Sequence, residues 1–159
     1  GQYIERCVPD LDSFIAELDK QKEFSSGKVV EENGELVYPL GTIKVYQDYG
    51  LLAFSKINAL NESHLTMPVY ESCLFGMWRE LSRVYAGRPI VLPLLGSGVT
   101  RFDDLPEVSF DELLRCILCT LRSSNLEFIG GITIALTPHA AKRMKLYNVK
   151  GFVSCCGLS

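Results

Sequence analysis

The chain has 159 residues, 47% hydrophobic and 22% charged. That length and balance fit one globular domain with a sizeable core and exclude a disordered or fibrous chain. Sixteen Lys and Arg against 19 Asp and Glu leave a net charge of −3, which gives no bulk electrostatic pull toward nucleic acid. No apolar run approaches the roughly 20 residues needed to span a bilayer.

The chain opens on Gly1 without an initiator methionine, the start expected of a piece of a longer protein. Gln2-Tyr3-Ile4-Glu5-Arg6 lacks the basic-then-apolar order of a signal peptide. Behind Pro9 and a capping Asp10, Leu11, Phe14, Ile15 and Leu18 recur at helical spacing and predict a helix over 10–22. Residues 25–34 are polar and glycine-bearing and predict a loop. Residues 35–38 and 42–46 read as strands separated by Pro39 and Gly41. Asp48-Tyr49-Gly50 signals a turn, residues 51–57 another strand, and residues 58–67 a polar loop holding His64.

Pro68 then opens a strong helix with Val69, Cys73, Leu74, Met77, Trp78, Leu81 and Tyr85 on its apolar face, closed by Gly87. Residues 89–95 predict a strand. Ser109 and Glu112 have capping-box spacing and start a helix whose core face is Phe110, Leu113, Leu114, Ile117, Leu118 and Leu121. Residues 129–136 predict a buried strand, 138–147 a short helix and 151–154 a last strand. From Leu51 onward strands and helices alternate, which predicts an α/β domain, a sheet flanked by helices. Ligands in such sheets bind at the carboxyl ends of strands. Residues 55–58, 94–102 and 137–139 are therefore expected to share one crevice.

The six cysteines are Cys7, Cys73, Cys116, Cys119, Cys155 and Cys156. Cys73, Cys116 and Cys119 fall on expected apolar helix faces, where a thiol acts as a small hydrophobe. Cys116-x-x-Cys119 has no second Cys or His pair beside it, so no zinc or redox site is expected.

The stretch richest in chemistry is Pro89-Ile-Val-Leu-Pro-Leu-Leu-Gly-Ser-Gly-Val-Thr-Arg-Phe102. An apolar strand empties into Gly96-Ser97-Gly98, and two glycines around a serine let several N–H groups converge on one anionic oxygen. The functional reading is a phosphate loop; the plain alternative is a turn. The spacing excludes a P-loop, which needs Lys-Ser/Thr after its second glycine, and a dinucleotide fingerprint, which needs glycine where Arg101 stands. It also excludes the G-x-S-x-G nucleophile elbow. Arg101 is a candidate partner for phosphate or carboxylate; the alternative is a surface arginine bonding Asp103 or Asp104. Ser97 and Thr100 are candidate phosphate donors, and Asn58 and Asn61 candidate ribose partners; all four also suit ordinary turns. His64 and His139 are the only histidines, and no catalytic triad or carboxylate pair can be assembled.

Four segments together carry a family resemblance. Tyr38-Pro-Leu-Gly-Thr42, Leu51-Leu-Ala-Phe-Ser-Lys-Ile57, the helix bearing Trp78, and Leu92-Pro-Leu-Leu-Gly-Ser-Gly-Val-Thr-Arg-Phe102 resemble the divergent macro domains of the ThsA effectors of type II Thoeris antiphage systems. The resemblance runs from about Gln2 to Val153 and implies a macro-like mixed sheet flanked by helices, with residues 1–159 as a single ligand-binding domain. It implies a sensor of an ADP-ribose-derived signal, histidine joined to ADP-ribose, made from NAD by the TIR-domain partner ThsB. The effector would then assemble as a homo-oligomer and damage the bacterial inner membrane from its cytoplasmic face, through N-terminal transmembrane segments outside this chain.

By the same resemblance the ligand site comprises Ser55, Lys56, Asn58, Leu94, Leu95, Gly96, Ser97, Gly98, Val99, Thr100, Arg101, Phe102, Thr137 and Pro138, with no metal or resident cofactor. Residues 96–102 would cradle the diphosphate, Ser55, Lys56 and Asn58 would lie near the ribose carrying the headgroup, and residues 137–139 near the adenosine. The sequence departs from hydrolytic macro domains. Ser55-Lys-Ile-Asn58 replaces their Asn-Ala-Ala-Asn loop, and the strands that bring an acidic residue to adenine would precede Gly1. A binding module rather than an enzyme is therefore expected. The alternatives are an ADP-ribose-linkage hydrolase, or an interaction domain whose glycine loop is only a turn.

Overall fold

The computed structural model describes residues 8–20, 30–32, 35–58, 60 and 62–155. Helix α1 (Leu11–Lys20) starts where expected. The Asp10 carboxylate accepts the N–H groups of Asp12 and Ser13 at 3.1 and 3.2 Å. Phe14 is buried and meets Tyr46 edge-on at 4.8 Å. Within the stretch expected as a loop, Val30–Glu32 is strand β1, paired antiparallel with β2 (Glu35–Val37). The pairing partner supplies what local composition does not show. Residues 25–29, 33 and 34 lie outside the described residues.

Strands β3 (Ile43–Tyr46) and β4 (Tyr49–Leu52) form a hairpin whose turn is Gln47-Asp48, with Gln47 at φ +54°. Tyr49 and Gly50, expected in the turn, thus belong to the strand, and the turn starts one residue earlier than expected. The single strand expected over 51–57 is two. After β4 the chain leaves the hairpin, with Ala53 still bonded to Gly41 and Thr42 at 2.8 and 2.9 Å. It then re-pairs as β5 (Lys56–Ile57) with a new neighbour.

That neighbour is β6 (Ser63–Leu65), inside the stretch expected as a polar loop. It is the middle strand of a three-stranded sheet, antiparallel to β5 and parallel to β8 (Thr100–Phe102). Its polar composition hid it, yet Ser63 and Leu65 are buried and His64 exposed, the alternation of a half-buried strand.

Helix α2 (Met67–Val84) buries Tyr70, Cys73, Leu74, Met77, Trp78 and Leu81. Val69, expected on this face, is 40% exposed, and Tyr70 takes its place one residue on. Gly41, at φ +91°, crosses α2 at Gly76 so closely that a Cβ on Gly41 would lie 2.8 Å from the Cys73 carbonyl oxygen.

Strand β7 (Ile90–Pro93) runs parallel to β9 (Ile132–Ala135), with Pro93 opposite Ala135. The strand expected over 129–136 is shorter and only one-sided. Ile129 is 91% exposed, and Ile132 and Ile134 alternate with exposed neighbours. Helix α3 (Phe110–Ser123) has the expected capping box. The Ser109 hydroxyl accepts the Glu112 N–H, and the Glu112 carboxylate accepts the Ser109 N–H at 2.9 Å. Between α2 and α3 the Trp78 indole N–H donates to the buried Thr120 hydroxyl at 3.0 Å.

Helix α4 (Pro138–Arg143) ends at Met144, and α5 (Leu146–Cys155) follows where residues 151–154 were expected as a strand. Val149, Phe152 and Val153 recur at helical spacing and pack against the core, leaving Gly151 exposed. That face, set by the tertiary neighbours, outweighs the local strand preference of Phe152-Val153. The result is a mixed α/β domain, its core centred on Tyr70, Leu74, Trp78, Leu113 and Ile117. No helix of the described residues is long and apolar enough to cross a membrane.

Candidate functional site: the glycine loop and its supports

The glycine loop leaves β7 as a tight turn. The Ser97 N–H and hydroxyl both donate to the Leu94 carbonyl, at 3.2 and 2.6 Å. Gly96 sits at φ +83°, where a Cβ would lie 3.2 Å from the Phe102 ring and 3.3 Å from Leu113. Leu94 and Phe102 are themselves buried at 3% exposure each. Their side chains form the floor of the loop and are not open to a ligand. The N–H groups of Leu95, Gly96, Gly98 and Val99 find no acceptor among the described residues. Nothing lies within 4 Å of a Cβ built on Gly98. The loop is thus a turn packed on Phe102 and Leu113, with four amide donors that have no acceptor among the described residues, a composition suited to an anion.

Neighbouring segments meet the loop from two sides. Because Pro93 pairs with Ala135, the glycine loop and residues 136–138 leave the β7–β9 ladder at the same edge. At its other end a chain of hydroxyls links it to the segment that starts at Ser55, the first loop of the candidate site. Ser63 Oγ lies 2.6 Å from Ser55 Oγ and 3.3 Å from Thr100 Oγ1. Of the three strand ends expected to share a crevice, Ser55 is thus linked to Thr100 through Ser63, and residues 136–138 leave their ladder at the same end as the glycine loop.

The other expected residues are placed as follows. Lys56 is exposed on β5, opposite His64, and Arg101 is exposed on β8, also opposite His64. Neither alternative partner named for Arg101 holds it. Asp103 takes the His64 ring at 2.7 Å, and Asp104 accepts the Met67 N–H at 2.9 and 3.0 Å, capping α2. Asn58 closes its own loop. Its Oδ1 accepts the N–H groups of Leu60 and Glu62, and its Nδ2 donates to the Glu62 carboxylate. Asn61 lies outside the described residues. Thr137 caps α4 by accepting the Ala140 N–H at 3.1 Å, with Pro138 opening that helix. Of the cysteines expected on apolar faces, Cys73 and Cys116 are buried, whereas Cys119 is exposed.

Two supports escaped the sequence reading. Tyr70 is fully buried, and its hydroxyl donates to the Leu95 carbonyl at 3.0 Å, pinning the cradle to α2. Burial holds the phenol protonated well above the usual tyrosine range. Its ring meets Phe54 at 5.8 Å and Phe102 at 5.4 Å, both edge-on. One turn on, the Cys73 thiol reaches the carbonyls of Ala53 and Phe54 at 3.7 and 3.8 Å, its pKa pushed up to about 11 by burial. One helix thus carries both loops. Tyr70, Cys73, Leu74, Met77 and Trp78 share a single helical stripe, and that period is the signal for Tyr70.

An apolar cavity of about 870 Å³ lies elsewhere, between α3, α5 and β9, and none of the site residues lines it.

The comparisons with known proteins give the family. The family model for the macro domain of Thoeris protein ThsA matches residues 1–136. Thoeris protein ThsA of Bacillus amyloliquefaciens (strain Y2) is 35% identical over 162 residues, covering 96% of this chain and 54% of that relative. The chain thus spans about half the length of the curated relative it matches. It belongs to the macro-domain family of Thoeris protein ThsA.

Proposed function

We propose that this domain binds an ADP-ribose-derived signal, histidine–ADP-ribose, and relays its presence to the rest of a longer Thoeris effector. The observation that carries this reading is the set of N–H groups at Leu95, Gly96, Gly98 and Val99 that find no acceptor among the described residues, at the exit of a parallel strand. Backbone donors at such a position suit a diphosphate, because they offer several hydrogen bonds without a fixed charge. The Thr100 and Ser55 hydroxyls and Lys56 flank one end of the cradle, on the side assigned to the headgroup ribose. Residues 137–138 flank the other, on the side assigned to the adenosine.

The ligand is bound without being converted. The sequence supports this, since Ser55-Lys-Ile-Asn58 stands where hydrolytic macro domains carry an Asn-rich loop. In the full protein the signal would come from the TIR-domain partner ThsB. Binding would drive assembly of copies at the cytoplasmic face of the inner membrane, through segments outside this chain.

Calorimetry of the domain against ADP-ribose and histidine–ADP-ribose tests the reading. Saturable binding is expected for both, tighter for the second, and no binding of either at millimolar ligand overturns it. Mass spectrometry of the bound ligand should show no multiple-turnover release of ADP-ribose or AMP. Selectivity should reside in the first loop, because the glycine loop reads only the shared diphosphate. Lys56→Ala should therefore weaken histidine–ADP-ribose more than ADP-ribose. Equal losses would place selectivity elsewhere. Asn58→Ala is a poorer probe, since Asn58 also holds its own loop closed.

A further inference from the structure

His64 stands on the solvent side of the three-stranded sheet, yet its ring is held at both ends. Nδ1 lies 2.7 Å from Asp103 Oδ1, and Nε2 lies 3.5 Å from Glu62 Oε2. The two carboxylates come from different segments: Glu62 precedes β6, and Asp103 follows β8. The glycine loop feeds into β8, and the Asp103 N–H donates to the Leu65 carbonyl at 2.9 Å. Glu62 closes the first loop: its carbonyl accepts the Asn58 N–H at 2.9 Å, and its carboxylate accepts the Asn58 amide at 3.2 Å. One imidazole therefore spans from the end of the first loop to the exit of the glycine loop.

The charged groups facing the ring come from every strand of the sheet. Lys56 on β5 and Arg101 on β8 are its register partners, and Glu62 and Asp103 are its acids. A neutral imidazole has one N–H and can donate to one carboxylate; an imidazolium has two and can donate toward both. We propose that His64 is a positioning residue for the anion cradle, its doubly protonated ring bridging Glu62 and Asp103 and so fixing the spacing between the first loop and the strand that leaves the glycine loop. The inference rests on reading this crevice as the site for an ADP-ribose-type ligand.

Two opposing influences act on the ring's proton. The bond to Asp103, foremost, and the contact with Glu62 favour it, partial desolvation opposes it, and the net shift is above the ordinary histidine value of 6.5. The bridge is therefore complete below that value and is lost as pH rises through the raised pKa.

The test pairs a ligand readout with a ligand-free one on the same chain. Calorimetry with ADP-ribose from about pH 6 to about pH 9 should show affinity falling by about two- to fivefold. His64→Gln keeps an amide donor near Asp103 but cannot carry a charge. It should bind at the weaker, high-pH level throughout, with a flat profile. The protection of the Leu60 and Glu62 amides in the ligand-free chain, their exchange rates divided into the intrinsic rate at each pH, should fall over the same pH range, and be low at both ends in His64→Gln. Parallel pH profiles in native and variant chains overturn the positioning role, even if His64→Gln melts earlier. If ADP-ribose binds at no pH, the function reading fails, and the protection profile alone decides the bridge: a pH-dependent protection abolished in His64→Gln supports it, and protection unaffected by pH or by the substitution sinks it.

Discussion

Gly96 and Gly98 flank the same serine but require glycine for different reasons. Gly96 occupies the left-handed region at φ +83° above the Phe102 ring, so any side chain there strains the fold itself. Gly98 has neither a positive φ nor a neighbour within 4 Å of a Cβ. Gly98→Val should therefore change folding stability by less than about 0.5 kcal/mol while obstructing a ligand's approach to the loop. Unchanged melting with binding of ADP-ribose reduced at least about tenfold is the expected pair of results. Normal binding by the folded variant would remove the loop from the site. Beneath the cradle, Tyr70→Phe deletes the bond to the Leu95 carbonyl at a fully buried position. It should cost about 1 kcal/mol in urea unfolding and loosen ligand binding as well. A stability loss with unaltered affinity would show that Tyr70 serves the core and not the cradle. The glycine pair was legible because its signal is local; the tyrosine was legible only through its period with Cys73, Leu74 and Met77.

Helix α3 shows an element whose start is written in four consecutive residues. Ser109 and Glu112 exchange hydrogen bonds at its first turn, so Ser109→Ala should lower stability by about 1 kcal/mol at neutral pH. The bonds from Ser109 to the Glu112 carboxylate hold that group below its ordinary value of 4.5. A carboxyl with a depressed native pKa adds stability above its unfolded value and loses it as pH falls through the native one. The gap between native and Ser109→Ala melting temperatures should therefore narrow below about pH 4. A gap of undiminished size in strong acid would contradict the carboxylate's part in the cap, since the bond from the Glu112 N–H to the Ser109 hydroxyl accounts only for what remains. Elements without such a signature were misread. β6 and β8 are three residues each and exist because they pair with one another, 37 residues apart at Ser63 and Thr100. In α5 the run Gly151-Phe-Val-Ser154 resembles a strand until its helical face finds α3. Local pattern reaches as far as a cap or a proline start; partner choice is a property of the assembled chain.

At the scale of the whole molecule, α2 organises the site. It bears Tyr70 and Cys73 beneath the two loops, takes its cap from Asp104 beyond β8, and crosses Gly41 at Gly76. The mixed α/β class and the glycine loop were readable from alternation and from the GSG spacing. The convergence of Ser55, Ser63 and Thr100, and the capture of Asp103 by His64, were not, because they depend on strands that the sequence does not announce. The central claim is that backbone N–H groups of the glycine loop receive the diphosphate of an ADP-ribose-type ligand. Titrating ADP-ribose into the isotopically labelled domain and following the amide resonances of Leu95, Gly96, Gly98 and Val99 tests it most directly. The account predicts that these four shift first and furthest, saturating together with those of residues near Ser55 and Thr137. Saturable shifts that spare the glycine loop, or no shifts at millimolar ligand, would contradict it.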